Sequence, residues 1–95
     1  MANVPPILDY ELSDHVRSEM ERREITEGEI AKVLGVPGQT DTVREGRVVY
    51  QSLMEMGEPP KKYVLRVFVD IDRQPAQVVT AYRTRKIAKY WRVEE

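Results

Sequence analysis

The amino-acid sequence predicts an α+β fold, in which an N-terminal helix hairpin packs on a four-stranded antiparallel sheet and a short C-terminal helix follows. Apolar residues recur at helical spacing in the first third of the chain, up to Leu34. From residue 40 onwards they alternate with polar residues, which is typical of strands. Short segments containing Gly or Pro separate the alternating runs, so that consecutive strands can pair as an antiparallel meander.

The length of 95 residues fits one compact domain with one hydrophobic core. Residues 1–6 end in two prolines and predict an extended lead-in, which leaves residues 7–93 for the core. No apolar run approaches the ~20 residues of a membrane-spanning helix, and the first residues lack the apolar run of a secretory signal. The absence of Cys excludes disulfides, thiolate metal sites and a cysteine nucleophile. We therefore expect one cytoplasmic domain over residues 1–95, with no cofactor and no membrane association.

Two helices are predicted before residue 36. Apolar residues recur every four positions from Leu12 to Met20, and Ser13 is a suitable N-cap, so the first helix is expected over about residues 14–24. The second begins at Thr26-Glu27-Gly28-Glu29, which has the form of a capping box. Gly35 is expected to end it by adopting a left-handed conformation. The two helices should form a hairpin.

The sheet is predicted from the alternating segments. Ile7 to Leu12 is either a short strand or a hydrophobic anchor. Four longer strands are expected over residues 40–43, 47–53, 62–70 and 77–82. The tail from Thr84 to Val93 is either a short helix packed on the sheet or a last edge strand, and its pattern favours the helix.

The charges are distributed unevenly along the chain. Residues 1–60 carry six Lys/Arg and twelve Asp/Glu, a net charge of -6, whereas residues 61–92 carry nine Lys/Arg and two Asp, a net charge of +7. A basic half can bind nucleic acid or another polyanion, but the two halves can equally neutralise each other in the folded protein. The sequence leaves both interpretations open.

Four segments resemble a known family pattern, and they are Leu12-Ser13-Asp14-His15-Val16, residues 20–26, residues 30–34 and Val79-Thr80-Ala81-Tyr82. The pattern is that of the small prokaryotic family called domain of unknown function 4258, and the resemblance covers about residues 12–83. More distantly, helices leading into an antiparallel sheet are similar to the RelE/ParE/BrnT group of toxins from toxin–antitoxin systems. That similarity implies a RelE/BrnT-like fold, metal-independent cleavage of RNA and inhibition by an antitoxin protein.

His15 is the only histidine, and the family pattern includes it. At the second position of the first helix, the positive end of the helix dipole disfavours imidazolium, so the ring can accept a proton near neutral pH. Glu19 lies one turn further on and can orient the ring, and Arg22 lies on the same face and can meet a phosphate. The alternative is that His15 caps the helix or packs as a neutral ring.

Candidate phosphate-binding cations are Arg66, Arg83 and Arg85, because guanidinium groups fork onto phosphate oxygens. Arg66 stands in the middle of an apolar strand, although a charge on a solvated sheet face is the simpler interpretation. Tyr82 can donate to phosphate or stack on a base, or it can be a half-buried packing residue. Because one phosphate must bridge base and cation, we expect His15 within roughly 10 Å of Arg66 or Arg83.

Residues 83–92 interleave cations with aromatic residues, the mixture that binds phosphate backbones and unpaired bases. The alternative is an amphipathic terminal helix whose apolar residues pack in the core. Asp70 and Asp72 have no second histidine or cysteine to accompany them, so they indicate the start of a turn and no metal site is predicted.

The leading hypothesis is a toxin-type, metal-independent endoribonuclease that acts on RNA. In it His15, Arg66 and Arg83 are catalytic, His15 as acid or base and the arginines as stabilisers of phosphate charge. The substrate-binding residues would be Arg22, Tyr82, Arg85, Lys86 and Lys89. The alternative hypothesis is a non-catalytic module that binds another protein or nucleic acid.

Overall fold

The computed structural model describes residues 6–93, and it confirms an α+β fold. Five strands and three helices occur in this range. In chain order they are β1 Tyr10–Leu12, α1 Asp14–Arg23, α2 Glu27–Gly35, β2 Gln39–Arg44, β3 Arg47–Met56, β4 Lys61–Asp70, β5 Ala76–Thr84 and α3 Ile87–Tyr90. The short C-terminal helix predicted in the tail is therefore present as α3. None of the described helices is long and apolar enough to cross a membrane.

The strands form one mixed sheet in the order β1-β5-β4-β3-β2. The strands from β2 to β5 are an antiparallel meander, as predicted, but β1 adds a fifth strand parallel to β5. The prediction of a purely antiparallel four-stranded sheet is therefore wrong. The N-terminal half of β5 would otherwise be an open edge, and β1 pairs its Tyr10 with Ala76 and its Leu12 with Val78.

The helix starts follow their predicted caps. The Ser13 hydroxyl accepts a hydrogen bond from the Val16 N–H at 3.0 Å, and Thr26 and Glu29 form a complete capping box. The predicted left-handed end at Gly35 is wrong, because the Val36 N–H still donates to the carbonyl of Lys32 and Gly35 is the last helical residue. The left-handed residue lies instead at the end of α1.

The two helices pack on the sheet separately, so the predicted hairpin is also wrong. α1 contacts β5, whereas α2 contacts β3 and β4. Between the helices and the sheet lies the core, whose members are Val16, Met20, Ile25, Ile30, Val33, Leu34, Val48, Tyr50, Leu65, Val67, Val69, Val78 and Ala81. Each helix thus buries its apolar face against different strands of the sheet.

The pleat of β4 separates two environments. Leu65, Val67 and Val69 point to the helices and belong to the core. Arg66 and Phe68 alternate with them and therefore point to the opposite face of the sheet, where α3 contacts β4.

At one end of the sheet, an ion pair joins the neighbouring strands β3 and β4. The Arg47 Nε donates to Asp70 Oδ1 at 2.6 Å and a second Arg47 nitrogen donates to Oδ2 at 3.0 Å, which is a bidentate pair. The hydrogen bonds from Arg47 lower the pKa of Asp70 below its ordinary value and outweigh the opposing effect of burial.

The Asp70→Asn variant should lower the free energy of unfolding by about 1.5–3 kcal/mol at neutral pH, because it removes hydrogen bonds between charged groups. Since the folded pKa of Asp70 lies below its unfolded value of about 3.9, the pair stabilises fully above that pH and is lost as the pH falls through the folded pKa. Urea unfolding between about pH 7 and pH 2 should therefore show the difference from wild type disappearing in acid.

The matched control is Asp72→Asn, which leaves the Arg47 hydrogen bonds in place and should change stability by less than about 0.5 kcal/mol. A stability difference for Asp70→Asn that stays constant across the pH range would contradict the assignment.

Candidate nucleic-acid interface

Arg66 lies at the centre of the sheet face opposite α1 and α2. Its Nε donates to Gln51 Oε1 at 2.9 Å, and another guanidinium nitrogen donates to the Tyr82 hydroxyl at 2.7 Å. The register explains both contacts, because Gln51 and Tyr82 are the direct cross-strand neighbours of Arg66 on either side. The guanidinium is therefore held by the two adjacent strands.

Three aromatic rings surround this guanidinium, and we call Arg66, Phe68, Tyr82 and Tyr90 the aromatic cluster. The Arg66 Cζ lies 4.2 Å from the ring centroid of Tyr90, 5.2 Å from that of Phe68 and 5.7 Å from that of Tyr82. The rings of Phe68 and Tyr82 are stacked with centroids 6.0 Å apart, and the ring of Tyr90 stands edge-on to Tyr82 at 6.3 Å. All four residues are only partly buried, so the cluster combines a fixed cation with partly exposed aromatic side chains.

Two buried glutamines attach the C-terminal tail to this face. The Gln51 Nε2 donates to Gln39 Oε1 at 2.9 Å and to the carbonyl of Tyr90 at 3.0 Å. Gln39 in turn donates to the carbonyl of Arg92 at 2.6 Å and accepts from the Arg92 N–H at 3.1 Å. Trp91 lies so close to Gly38 that a Cβ at this position would be 2.8 Å from its ring. Side-chain amides therefore fix the position of Tyr90 over Arg66.

The hydrogen bonds and charges of the cluster act on the Tyr90 hydroxyl. Hydrogen bonding by the Tyr82 hydroxyl lowers the pKa of Tyr90 below its ordinary value of 10.0, and the positive charges of Lys89 and Arg66 lower it further. Because Tyr82 accepts from Arg66, its own proton is free to point at Tyr90. The hydrogen bonds that run from the Arg66 guanidinium to the Tyr82 hydroxyl and on to Tyr90 therefore favour negative charge on the Tyr90 oxygen.

His15 lies on the helix side of the sheet, near the N-terminus of α1. Its Nε2 is 3.1 Å from Glu19 Oε2, and its side chain is 70% exposed whereas that of Glu19 is 8% exposed. The other Glu19 oxygen accepts from the Thr80 hydroxyl at 2.6 Å and from the Ala81 N–H at 3.2 Å. Burial raises the pKa of Glu19, but these hydrogen bonds and the adjacent cations outweigh it and the pKa is lowered. Glu19 therefore orients the ring, as the helical spacing indicated.

Arg83 holds the end of α1. One guanidinium nitrogen donates to the carbonyl of Arg23 at 2.9 Å and the other donates to the carbonyl of Glu24. Glu24 is the left-handed residue that terminates α1, with φ 58°. The last carbonyls of a helix have no partners within it and carry partial negative charge, so the half-buried guanidinium of Arg83 caps the helix there.

The structure does not bring His15 together with either predicted catalytic arginine. Arg66 points away from the helices, and Arg83 binds at Arg23, eight residues or about 12 Å along α1 from His15. His15 and Arg66 thus lie on opposite faces of the sheet, and the expected approach of His15 to within roughly 10 Å of Arg83 stays a prediction. Arg22 is exposed on α1, on the same side of the sheet as His15.

The remaining predicted binding residues belong to β5 and the segment that follows it. Tyr82 is part of the aromatic cluster, and the Lys89 Nζ lies 5.3 Å from the ring centroid of Tyr90. Arg85 and Lys86 are exposed in the segment that joins β5 to α3. Two of the five predicted substrate-binding residues, Tyr82 and Lys89, thus lie on or beside the cluster, and Arg85 and Lys86 lie in the segment that leads into α3.

Sequence reasoning did not identify Gln39, Gln51, Phe68 and Tyr90 as site residues. Phe68 shares the alternate positions of Arg66 in β4, which was a usable signal. The positions of Gln39 and Gln51 depend on the pairing of β2 with β3 and of β3 with β4, and no local pattern encodes that register.

Comparisons with protein families, with curated proteins and with solved structures find no match for this chain. The resemblance to domain of unknown function 4258 therefore rests on the sequence segments alone. Among residues 6–93, no group of three or more His, Asp or Glu side chains is placed to hold a metal ion.

The Arg83→Met variant should lower the free energy of unfolding by at least about 1.5 kcal/mol, because it removes charge-assisted hydrogen bonds to the helix end. Arg85→Met is the matched control, since Arg85 is exposed two residues away, and it should change stability by less than about 0.5 kcal/mol. Urea denaturation followed by circular dichroism measures both. Equal stability of the two variants would show that Arg83 does not hold α1.

Proposed function

We propose that the protein binds single-stranded RNA on the aromatic cluster. The observation that carries the proposal is the Arg66 guanidinium held within 4.2–5.7 Å of three ring centroids on a sheet face. Aromatic rings on a sheet stack unpaired bases, and guanidinium groups meet phosphates or stack on bases themselves. Hydrogen bonds to neighbouring strands already hold Arg66 in place, and the Gln51 amide holds the backbone at Tyr90. Little side-chain entropy is therefore lost when RNA binds.

The charges beside the cluster support a polyanionic ligand. Arg83 and Arg92 approach the acidic residues Glu29 and Asp41, at 4.0 Å and 3.7 Å. Four other cations of the basic half, which are Arg66, Arg85, Lys86 and Lys89, form no ion pair within residues 6–93. Part of the basic half thus neutralises the acidic half, and the remainder is available to phosphates.

Affinity for a single-stranded oligonucleotide should fall with added salt, because each phosphate contact releases counterions and contributes a log–log slope of about -0.7. Three or more contacts would give a slope steeper than about -2. Replacing Arg85, Lys86 and Lys89 together with Gln should flatten the slope and leave the melting temperature unchanged. Filter binding at several salt concentrations measures the slope. Salt-independent binding, or none, would contradict the proposal.

The Tyr90→Leu variant should weaken RNA binding about 5- to 100-fold, since stacking of one base on an aromatic ring contributes that much. The matched control is Tyr63→Leu, because Tyr63 lies on β4 but alternates with Arg66, and it should bind as wild type. Fluorescence anisotropy with a labelled oligonucleotide measures the affinities. Equal weakening by the two substitutions would point to a general loss of structure.

A second candidate function is metal-independent cleavage of the bound RNA, and the lowered pKa of Tyr90 favours it. In this reaction the Tyr90 phenolate takes the proton of a 2′-hydroxyl, whose oxygen forms a bond to phosphorus. The bond from phosphorus to the 5′-oxygen breaks, and that oxygen takes a proton from water. Arg66 stabilises the charge on the phosphoryl oxygens. The products are a 2′,3′-cyclic phosphate and a 5′-hydroxyl end.

The Tyr90→Phe variant keeps the ring and should bind RNA as wild type while cleaving it about 100- to 10,000-fold more slowly, the usual contribution of a general base. His15→Ala tests the histidine-based mechanism, which the separation of His15 from Arg66 disfavours. Gel analysis of labelled RNA in the presence of a chelator measures both rates. Loss of cleavage in His15→Ala alone would overturn the role of Tyr90, and RNA binding without cleavage by wild type would leave a binding module.

The antitoxin-like protein implied by the family resemblance is a further part of the proposal. An inhibitory partner would act by covering the aromatic cluster, so that RNA and the partner compete. The chemistry of the cluster suits acidic and aromatic groups in such a partner.

A further inference from the structure

The last described residues, 85–93, lie against the sheet without joining it, and we call them the terminal strap. Among the described residues, their backbone–backbone hydrogen bonds stay inside the segment, as in the bond from the Trp91 N–H to the Ile87 carbonyl at 2.7 Å. None of these residues is buried, and only Ile87, Tyr90 and Trp91 are half-buried. The strap therefore lacks the ladder and core contacts that make a segment unfold only together with its domain.

Side chains of the sheet hold the strap through its backbone. The Gln39 amide makes two hydrogen bonds with the backbone of Arg92, and the Gln51 amide makes one with the carbonyl of Tyr90. The Arg92 guanidinium also lies 3.7 Å from Asp41, but both side chains are exposed, and exposed ion pairs contribute little. The two glutamine amides are therefore the main polar anchors of the strap.

Gly38 leaves the room that the Trp91 ring occupies. A Cβ at position 38 would lie 2.8 Å from Trp91 Cη2 and 3.2 Å from the Gln51 carbonyl oxygen. Gly38 has no positive φ, so the reason for glycine here is the close approach of the ring. Trp91 directly follows Tyr90, whose ring centroid lies 4.2 Å from the Arg66 Cζ. The contact between Trp91 and Gly38 thus sets where the Tyr90 ring lies.

We propose that the terminal strap docks on the folded sheet and leaves it as a unit, and that Trp91, in contact with Gly38, is the positioning residue that places Tyr90 for RNA. The docked state binds RNA, because it holds the Tyr90 ring beside Arg66, where a base can stack. An undocked fraction lowers the apparent affinity in proportion, and RNA in turn stabilises the docked state. The role of Trp91 rests on the proposed RNA binding, whereas the docking equilibrium does not.

Amide hydrogen exchange of the RNA-free protein tests the docking equilibrium. The Arg92 N–H, which donates to Gln39, should exchange at least about 100-fold faster than the N–H of Val67 in β4, because the strap opens without global unfolding. Its rate should hardly change in dilute urea, since local opening exposes little surface, whereas that of Val67 should rise steeply. Equal rates with the same urea dependence would overturn the proposal.

Gly38→Ala tests the contact with Trp91, which is the only tryptophan and therefore reports on it by fluorescence. The added methyl group should displace the ring and raise acrylamide quenching towards that of free tryptophan. RNA affinity should fall about 5- to 100-fold, the contribution of one stacked base. Gly28→Ala is the matched control, because a Cβ there meets no atom nearer than 3.8 Å, and it should change neither quantity. Unchanged quenching in Gly38→Ala would overturn the contact.

A double variant separates positioning from a general loss of structure. In the Tyr90→Leu background, Gly38→Ala should weaken RNA binding by less than about twofold, because both changes act through the same ring. A further loss as large as in wild type would overturn the positioning role of Trp91. Absence of RNA binding by wild type would overturn the proposed function together with that role, while the exchange of the Arg92 N–H would still decide whether the strap docks.

Trp91→Ala keeps the test decisive if Gly38→Ala does not fold, since it removes the contact from the strap and leaves the sheet unchanged. Exchange of the Arg92 N–H should become faster than in wild type, and RNA affinity should fall about 5- to 100-fold. Val93→Ala is the control, because Val93 is 86% exposed, and it should change neither. Equal exchange rates in these two variants would exclude Trp91 as an anchor of the strap.

Discussion

The side chain of Gln51 is the contact on which the aromatic cluster depends. Its oxygen accepts from Arg66, and its nitrogen donates both to Gln39 and to the carbonyl of Tyr90. One buried amide thus joins three strands to the tail and uses its hydrogen-bonding groups inside the protein, where an unpaired polar group would be costly. A residue without both a donor and an acceptor cannot make these contacts, so the geometry around Arg66 follows from this amide.

The arginines on the two faces of the sheet have different partners. On the helix side, the free edge of β5 is closed by α1, since Glu19 accepts from the Ala81 N–H and Arg23 donates to the Ala81 carbonyl at 2.9 Å. On the same side of the sheet, Arg83 donates to the Arg23 carbonyl and so stabilises the C-terminal end of α1. On the other side, Arg66 makes only neutral contacts within residues 6–93, with an amide and a phenol. A guanidinium whose charge has no counter-ion is the one suited to an anionic ligand.

Local patterns predicted most of the elements, because their signals lie within a few residues: the caps at Ser13 and Thr26 and the alternation in β4. Long-range pairing produced the errors. The parallel position of β1 depends on an edge of β5 some 65 residues away, and Gly35 resembled a helix terminator because the continuing Val36 contact is invisible in sequence. The same holds for the site. Arg66 and Tyr82 were proposed as site residues from their residue types alone. Their contacts with Gln51 and Tyr90 depend on the register of three strands and on the path of the C-terminal tail, which no local pattern encodes.

The most direct test of the account is a nuclear magnetic resonance titration of the whole chain with a short single-stranded RNA. The account places the ligand on the aromatic cluster, so chemical-shift changes should concentrate at Arg66, Phe68, Tyr82 and Tyr90, and the side-chain amide of Gln51 should shift with them. Residues of α1 around His15 should remain unchanged. Shifts centred on His15 and Glu19, or no shifts at saturating RNA, would contradict it.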